Sequence, residues 1–180
     1  MIPVQASQLG IDECRTVQEK EFIEQLNSRA IAASWIPYNC FSCDEGLVLY
    51  LDQSDKDPRY NTILRTLRID FFGDRVRYGK DETGQLATPL DPTRSDVSEV
   101  LSESPLALAS IAADWLEREF AREFLRYEWD RLDARGVAPR AWDFAETRQC
   151  LVYRGERTPD FGPPDRIVKV LIQNGVDETE

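Results

Sequence analysis

The stretch that decides the fold lies near the middle of the chain and reads Ile69-Asp70-Phe71-Phe72-Gly73-Asp74-Arg75-Val76-Arg77-Tyr78. Gly73 and Asp74 separate two runs in which apolar and polar side chains mostly alternate. A glycine at the first of two turn positions is typical of a type II′ hairpin turn, whose twist matches the strands that it joins. The segment therefore predicts two antiparallel strands, residues 63–72 and 75–79.

The register of this hairpin follows from its side chains. If Phe72 pairs with Arg75, then Asp70 faces Arg77 on one side of the sheet. The pairs on the other side are apolar or aromatic: Phe71 with Val76 and Ile69 with Tyr78. An apolar face backed by a face with opposite charges is the arrangement that cross-strand pairing favours.

Two segments have the periodicity of amphipathic helices, residues 12–32 and a second segment that begins at Ser104 and gives way to a strand near residue 122. Thr16 followed by Glu19 fits a capping box at the start of the first helix. Ser104 suits the N-cap of the second helix, because Pro105 then occupies the first helical position, where its missing amide costs nothing.

Further strands are predicted at residues 47–51, 125–129 and 149–153 from their apolar or alternating side chains. Residues 165–174 fit both structures: Asp165 and Gly175 could begin and end a helix, whereas the β-branched residues between them favour a strand. We favour the strand. This order of elements predicts an α+β fold, with a mainly antiparallel sheet and two amphipathic helices packed on one face.

The length of 180 residues fits a single α+β domain that spans residues 1–180. Within it, residues 80–104 have no apolar periodicity and contain two prolines. This stretch is predicted to be a long acidic connection, and a connection of that length in a compact domain is functional or mobile.

Composition excludes several kinds of protein. The chain has 22 Lys and Arg residues against 33 Asp and Glu residues, a formal charge of −11, and no histidine. Such an acidic chain is a poor ligand for nucleic acid or an anionic membrane, because phosphate binding depends on clustered basic residues. Without histidine there is no Ser-His-Asp triad and no HExxH zinc site. Residues 1–7 have neither the basic nor the apolar region of a signal peptide, which favours the cytoplasm.

Cys40 and Cys43 form a CxxC motif, which could be half of a zinc site or a redox pair. A structural zinc site usually takes two such pairs, and here the remaining ligands would be Cys14 and Cys150, which come from opposite ends of the chain. Ordinary buried thiols are the favoured interpretation. No cofactor and no metal are therefore expected.

The connection at residues 80–104 is the preferred candidate for a binding surface. Its acids either keep the protein soluble or form a docking surface for a basic partner protein. The candidate acids are Asp81, Glu82, Asp91, Asp96, Glu99 and Glu103. Among the tryptophans, Trp115 and Trp129 are predicted in the core, and Trp35 and Trp142 are predicted as surface anchors, so Trp142 joins the candidate partner-binding residues.

A pattern in residues 65–130 resembles small uncharacterised bacterial proteins, some of which are similar to immunity proteins of polymorphic toxin systems. The pattern comprises Ser104-Pro105, then Ala112-Ala113-Asp114-Trp115-Leu116-Glu117-Arg118-Glu119-Phe120, then Arg126-Tyr127-Glu128-Trp129. The resemblance implies a toxin as partner and implies no catalytic residues.

These observations favour a non-enzymatic, cytoplasmic protein-binding module, most concretely an immunity or inhibitor protein that neutralises a basic partner such as a toxin. A secretion chaperone or adaptor is a close alternative. The rival hypothesis is a small enzyme or ligand-binding domain with a carboxylate-lined pocket. The sequence does not indicate an oligomeric state.

Overall fold

The computed structural model of this chain describes residues 10–33, 39–60, 62–82, 84, 88–155 and 162–174. The chain divides into two compact units. Unit 1 comprises residues 1–53, 65–120 and 174–180, and unit 2 comprises residues 54–64 and 121–173. A single domain over residues 1–180 stays a prediction.

The described residues contain two α-helices and ten strands in antiparallel sheets, so the predicted α+β class is confirmed. The helices are Val17–Ala33 (α1) and Pro105–Phe120 (α2), and a short 3-10 helix, Ile11–Glu13, precedes α1. The strands are Asn39–Cys43 (β1), Gly46–Asp55 (β2), Ile63–Phe71 (β3), Arg75–Asp81 (β4), Val97–Leu101 (β5), Phe124–Glu128 (β6), Arg140–Phe144 (β7), Cys150–Arg154 (β8), Arg166–Lys169 (β9) and Ile172–Asn174 (β10). No helix among the described residues has the length and apolar character that crossing a membrane requires.

The larger sheet has the order β1-β2-β3-β4-β5, with β10 also paired to β2. The predicted hairpin register is confirmed, because Asp70 lies opposite Arg77 and Phe71 lies opposite Val76. The amide of Phe72 donates to the carbonyl of Arg75 at 3.0 Å, which closes the turn over Gly73.

Both helices of unit 1 pack on one face of this sheet, as predicted. The helical contribution to the core includes Phe22 and Leu26 from α1 and Leu108 from α2. The rings of Phe22 and Phe71 stack with centroids 4.3 Å apart, which joins α1 to β3. The burial of this apolar face supplies the main driving force for the assembly of unit 1.

Both helices begin at the predicted caps, although α1 begins at Val17, five residues after the start of the helical pattern at residue 12. The amide of Glu19 donates to Thr16 Oγ1 at 3.1 Å, and the amide of Thr16 donates to Glu19 Oε2 at 2.8 Å, which completes the capping box. At α2, the amide of Ala107 donates to Ser104 Oγ at 3.3 Å. These bonds satisfy amides that the first turn of a helix leaves without a backbone partner.

The opposite face of the sheet is charged and buried. Arg68 Nε donates to Asp70 Oδ1 at 2.7 Å, and both side chains are almost fully buried. The amide of Leu90 donates to the other Asp70 oxygen at 2.6 Å, so the chain around residue 90 covers this face. Burial raises the pKa of Asp70, and the hydrogen bonds from Leu90 and Arg68 only partly oppose that effect.

The prediction that residues 80–104 are a connection without regular structure is wrong over part of its length. β4 extends to Asp81, and Val97–Leu101 forms β5, which pairs with β4 along five residues. Ser98 and Glu99 break the apolar alternation of β5, so the sequence pattern does not reveal a strand that its neighbour stabilises.

Unit 2 contains a four-stranded sheet in the order β8-β7-β6-β9. The stretch at residues 165–174 contains β9 and β10, which confirms the preference for strand over helix. A separate apolar core lies in this unit and consists of Leu64, Phe124, Trp142, Phe144 and Val170.

The faces of β6 are the reverse of the predicted ones. Phe124, Arg126 and Glu128 are buried, whereas Leu125 and Tyr127 are only partly covered. Trp129 lies just beyond β6 and is half-buried. The prediction that Trp129 is a core residue is therefore wrong, since two charged side chains occupy the buried face of the strand.

Candidate functional site

Four of the six predicted docking acids have cationic neighbours within unit 1: Asp81, Glu82, Asp96 and Glu99. Asp81 is buried beside Arg68, with Arg68 Nη1 3.7 Å from Asp81 Oδ2. Arg94 Nη2 lies 2.6 Å from Asp96 Oδ2 and 3.5 Å from Glu82 Oε2. This part of the surface is less negative than its sequence suggests, because its carboxylates are balanced locally.

Glu99, Asp91 and Glu103 lie in three different environments. Glu99 pairs with Arg77 across the β4–β5 ladder. Asp91 is exposed and accepts hydrogen bonds from the amide and hydroxyl of Thr93, which lower the pKa of its carboxyl group. Glu103 is exposed and lies at the rim of a cleft. Of the six acids, only Glu103 lines that cleft.

Trp142 is not a surface anchor. Its side chain is fully buried in the core of unit 2, and its Nε1 donates to Asp55 Oδ2 at 2.8 Å. The prediction that Trp142 binds a partner at the surface is therefore wrong, because β7 lies between β6 and β8 and its inward face is covered. Trp35 lies outside the described residues.

The CxxC cysteines lie three positions apart on β1, at positions opposite Leu49 and Gly46. Since successive side chains of a strand point to opposite faces, Cys40 and Cys43 project from different faces of the sheet. Cys40 packs against the core of unit 1, and burial raises the pKa of its thiol. No group of three or more potential ligands in the described part of the chain is placed to hold a metal ion.

The cleft lies in unit 1, at the end of the sheet where the β1–β2 and β3–β4 turns are located. Its volume is about 590 Å³. The residues that line it come from the start of α1, the two turns and the segment before α2: Arg15, Thr16, Gln18, Glu19, residues 43–46, residues 72–74 and Glu103. We call it the acidic cleft, because five of these residues are carboxylic acids and one is an arginine.

The carboxylates of the acidic cleft are of two kinds. Glu19 is occupied by the α1 capping box. The remaining four are exposed, and none has a cationic partner among the residues that the structure describes: Asp44, Glu45, Asp74 and Glu103. Arg15 instead donates to the carbonyls of Cys43 and Ser42. A cationic ligand that enters the cleft therefore meets carboxylates that are free to pair with it.

Two glycines set the shape of the cleft. A Cβ atom at Gly46 would lie 2.2 Å from the carbonyl oxygen of Phe71, so the two turns approach each other more closely than any side chain allows. Gly73 has a φ of +93° and open space around the position of a Cβ atom. Gly46, whose φ is +154°, is required by both contact and backbone conformation, whereas Gly73 is required by backbone conformation alone.

We expect Gly46→Ala to lower the free energy of unfolding by about 2–4 kcal/mol, because the new methyl group must push a backbone carbonyl aside. Gly73→Ala is the matched control and should cost about 1 kcal/mol, which is the strain of its positive φ alone. Urea denaturation measures both values. Equal effects would show that the two turns do not approach as closely as described.

Charge is divided unequally between the units. Unit 1 has 10 basic and 22 acidic residues, a formal charge of −12, whereas unit 2 has 12 basic and 11 acidic residues, a formal charge of +1. The acid excess of the chain therefore belongs to the unit that contains the acidic cleft. A field of this sign attracts a cationic partner before contact.

Sequence reasoning missed a buried ion network in unit 2. The guanidinium group of Arg126 binds the carboxylates of Asp55 and Asp57, and its Nε donates to Glu128 Oε1 at 2.7 Å. The ring of Tyr60 lies 4.1 Å from the same guanidinium group. The only local sign of the network in the sequence is that Arg126 and Glu128 are charged residues at alternate positions of a strand. A solvent-exposed strand face has the same pattern.

Each acid of this network is engaged by a basic group. Burial alone would raise the pKa of Glu128, but the hydrogen bonds from Arg126 and Arg166 outweigh it and hold the pKa below its usual range. Asp55 also accepts the Trp142 indole N–H. The network therefore holds unit 2 together and does not offer an unpaired group to a ligand.

Comparisons with protein families, curated proteins and solved structures find nothing that matches this chain. Function is therefore inferred from the geometry and charge of the acidic cleft.

Proposed function

We propose that this chain is a non-enzymatic, cytoplasmic protein-binding module that receives a basic segment of a partner protein in the acidic cleft. The most concrete form is an immunity or inhibitor protein that neutralises a basic partner such as a toxin, and a secretion chaperone or adaptor would use the same surface. The observation that carries the proposal is a cleft of about 590 Å³ with four exposed carboxylates that have no cationic partner in the described part of the chain.

Charge supports this assignment at two distances. The formal charge of −12 on unit 1 steers a cationic surface toward it, which raises the association rate at low ionic strength. At contact, Asp44, Glu45, Asp74 and Glu103 can accept hydrogen bonds from lysine or arginine. Such bonds are stronger than those between neutral groups, because both partners are charged.

The position of the cleft also suits a macromolecular partner. The β1–β2 and β3–β4 turns project at one end of the sheet and leave the carboxylates at 44, 45 and 74 exposed. A partner that places basic side chains between these turns would contact both hairpins and the start of α1. An inhibitor can work this way by occupying the basic residues with which its partner binds a substrate.

A second candidate follows from the volume of the cleft. About 590 Å³ lies within the range of small-ligand sites, so a small enzyme or ligand-binding domain with a carboxylate-lined pocket is the alternative. Spermidine is a suitable probe, since it is a small cation without a peptide backbone. Micromolar binding of spermidine, with no binding of a basic peptide, would favour this alternative.

The experiment compares two triple charge reversals of equal size. Asp44→Lys, Glu45→Lys and Asp74→Lys change the acidic cleft, and Glu82→Lys, Asp91→Lys and Asp96→Lys change exposed acids of the 80–104 segment. The probe is a short fluorescein-labelled peptide in which lysine alternates with valine, and its anisotropy is measured at about 50 mM and about 500 mM NaCl. We expect the cleft variant to weaken binding about 100-fold at low salt, at about 1 kcal/mol for each reversed contact.

The control variant should weaken binding less than about 10-fold, because it changes only the long-range field. If both triple variants weaken binding equally, the acidic cleft is not the binding site. If the peptide does not bind the unmodified protein at low salt, the proposal of a basic partner is wrong.

A further inference from the structure

β5 is the outermost strand of the path β1-β2-β3-β4-β5, and no strand among the described residues pairs with its outer side. Its pairing with β4 determines which residues of β5 are hydrogen-bonded to β4 and which face outward. The amide of Ser102 donates to the carbonyl of Asp74 at 2.9 Å, and these residues lie opposite each other when the β4–β5 register is extended by one pair beyond Arg75 and Leu101. In an antiparallel ladder, directly opposite residues alternate between bonded and non-bonded pairs.

This alternation decides which backbone groups of β5 face outward. Ser98 and Val100 are bonded to β4, so the N–H and C=O groups of Val97, Glu99 and Leu101 point to the open edge. The β3–β4 ladder is consistent with this assignment. The amide of Phe72 donates to the carbonyl of Arg75, so alternate residues of β4 bond to β3 and the residues between them are left to bond to β5. The amide of Val97 is taken by the carbonyl of Arg94 at 3.2 Å, whereas the outward groups of Glu99 and Leu101 have no backbone partner among the residues that the structure describes.

The other end of the strand path is protected and β5 is not. At β1, the Arg15 guanidinium group donates to the carbonyls of Ser42 and Cys43. β5 contains no proline and no lysine, the residues that commonly protect an edge, and Leu101 is 68% exposed. An edge with these properties is a template for an added strand.

We propose that an extended, basic segment of the partner adds to the outer edge of β5 as a further strand. This inference rests on the proposed function, because the added strand and the occupant of the acidic cleft would be one segment. β5 ends two residues before Glu103, and Ser102 is hydrogen-bonded to Asp74, so an added strand leads directly to carboxylates of the cleft.

The chemistry of the edge selects a basic strand. Glu99 has outward-facing backbone groups, and Arg77 bonds only its Oε2, so its Oε1 can accept from a lysine or arginine opposite it in the added strand. Leu101 offers an exposed apolar contact for the next side chain along. Backbone hydrogen bonds would supply affinity, and the charges at Glu99 and Glu103 would set the preference for basic side chains.

Amide hydrogen exchange of the full chain tests the proposal with the lysine–valine peptide as probe. We expect exchange at Glu99 and Leu101 to slow at least about 10-fold when the peptide binds. Ser98 and Val100 should change little, because their amides already bond to β4. A peptide of the same sequence with its central amides N-methylated keeps its charge and loses its donors, so it should bind about 10- to 30-fold more weakly.

Two variants at position 99 separate the contribution of the backbone amide from that of the carboxylate. Glu99→Pro removes an outward amide that no bond to β4 requires, and Glu99→Ala removes the same carboxylate while it keeps the amide. The proline variant should bind the peptide about 10-fold more weakly than the alanine variant.

The outcomes separate this inference from the proposed function. If the N-methylated peptide binds as well as its parent while the cleft reversals still weaken binding, strand addition is wrong and the acidic cleft remains the site. If neither peptide binds, both proposals fail. If exchange at Glu99 and Leu101 is already slow in the protein alone, and slows further as the protein concentration is raised, the edge pairs with a second copy of this chain. That result would overturn the inference.

Discussion

Arg126→Met should lower the free energy of unfolding by about 3–5 kcal/mol, because it leaves the buried carboxylate of Asp55 without its cation. The side chains of Arg126 and Asp55 are 4% and 1% exposed, and Glu128 is buried beside them. Methionine roughly conserves the apolar stem of arginine, so the loss comes mainly from the uncompensated charge of Asp55, whereas Glu128 keeps its bond from Arg166.

Lys169→Met is the matched control for Arg126→Met. Lys169 pairs with Glu123, and both side chains are more than half exposed, so this variant should cost less than about 1 kcal/mol. Urea denaturation followed by circular dichroism measures both variants. If Arg126→Met costs no more than Lys169→Met, the buried network does not stabilise unit 2. Asp55→Asn added to Arg126→Met should recover part of the loss, since it removes the buried charge that has lost its cation.

Trp142→Ala should cost about 3–5 kcal/mol, which is the usual range for the loss of a fully buried aromatic side chain. The indole fills the core of unit 2 against Tyr60, with ring centroids 5.7 Å apart, and donates to Asp55. Removal of the indole therefore opens a cavity and takes one donor from a buried carboxylate.

Trp129→Ala is the control for Trp142→Ala, because Trp129 is half-buried and donates its indole N–H to the carbonyl of Gly162 at 3.1 Å. We expect a loss of about 1–2 kcal/mol for this variant. Thermal unfolding ranks the two. A larger loss at Trp129 than at Trp142 would support the arrangement predicted from sequence, with Trp129 in the core and Trp142 at the surface.

Local features of the fold were predictable from sequence because the residues that decide them are close together. The turn at Gly73 fixes the β3–β4 register, and Thr16 with Glu19 fixes the start of α1. In each case a few neighbouring side chains satisfy the backbone or separate polar from apolar faces, so little depends on the rest of the chain.

β5 and the buried faces of unit 2 were not predictable in this way. β5 is a strand because β4 pairs with it, and Ser98 and Glu99 give it no apolar alternation of its own. Arg126 and Glu128 alternate as an exposed face would, but Asp55, from a distant part of the chain, makes their burial favourable. Pairing between distant residues decided both outcomes.

The acidic cleft was only partly predictable. Glu103 was among the candidate acids, whereas Asp44, Glu45 and Asp74 were not, because they lie in two turns far apart in sequence. One signal could have found them: in an antiparallel meander, the β1–β2 and β3–β4 turns lie at the same end of the sheet. Acids in both turns therefore converge.

An NMR titration of the full chain with the lysine–valine peptide at low salt tests most directly whether the acidic cleft binds a basic segment. We expect saturable shifts of the Gly46 and Gly73 amides, which lie in the acidic cleft, and small shifts around Asp91 and Asp96. Shifts that cluster around Asp91 and Asp96, with Gly46 and Gly73 unchanged, would contradict the proposal.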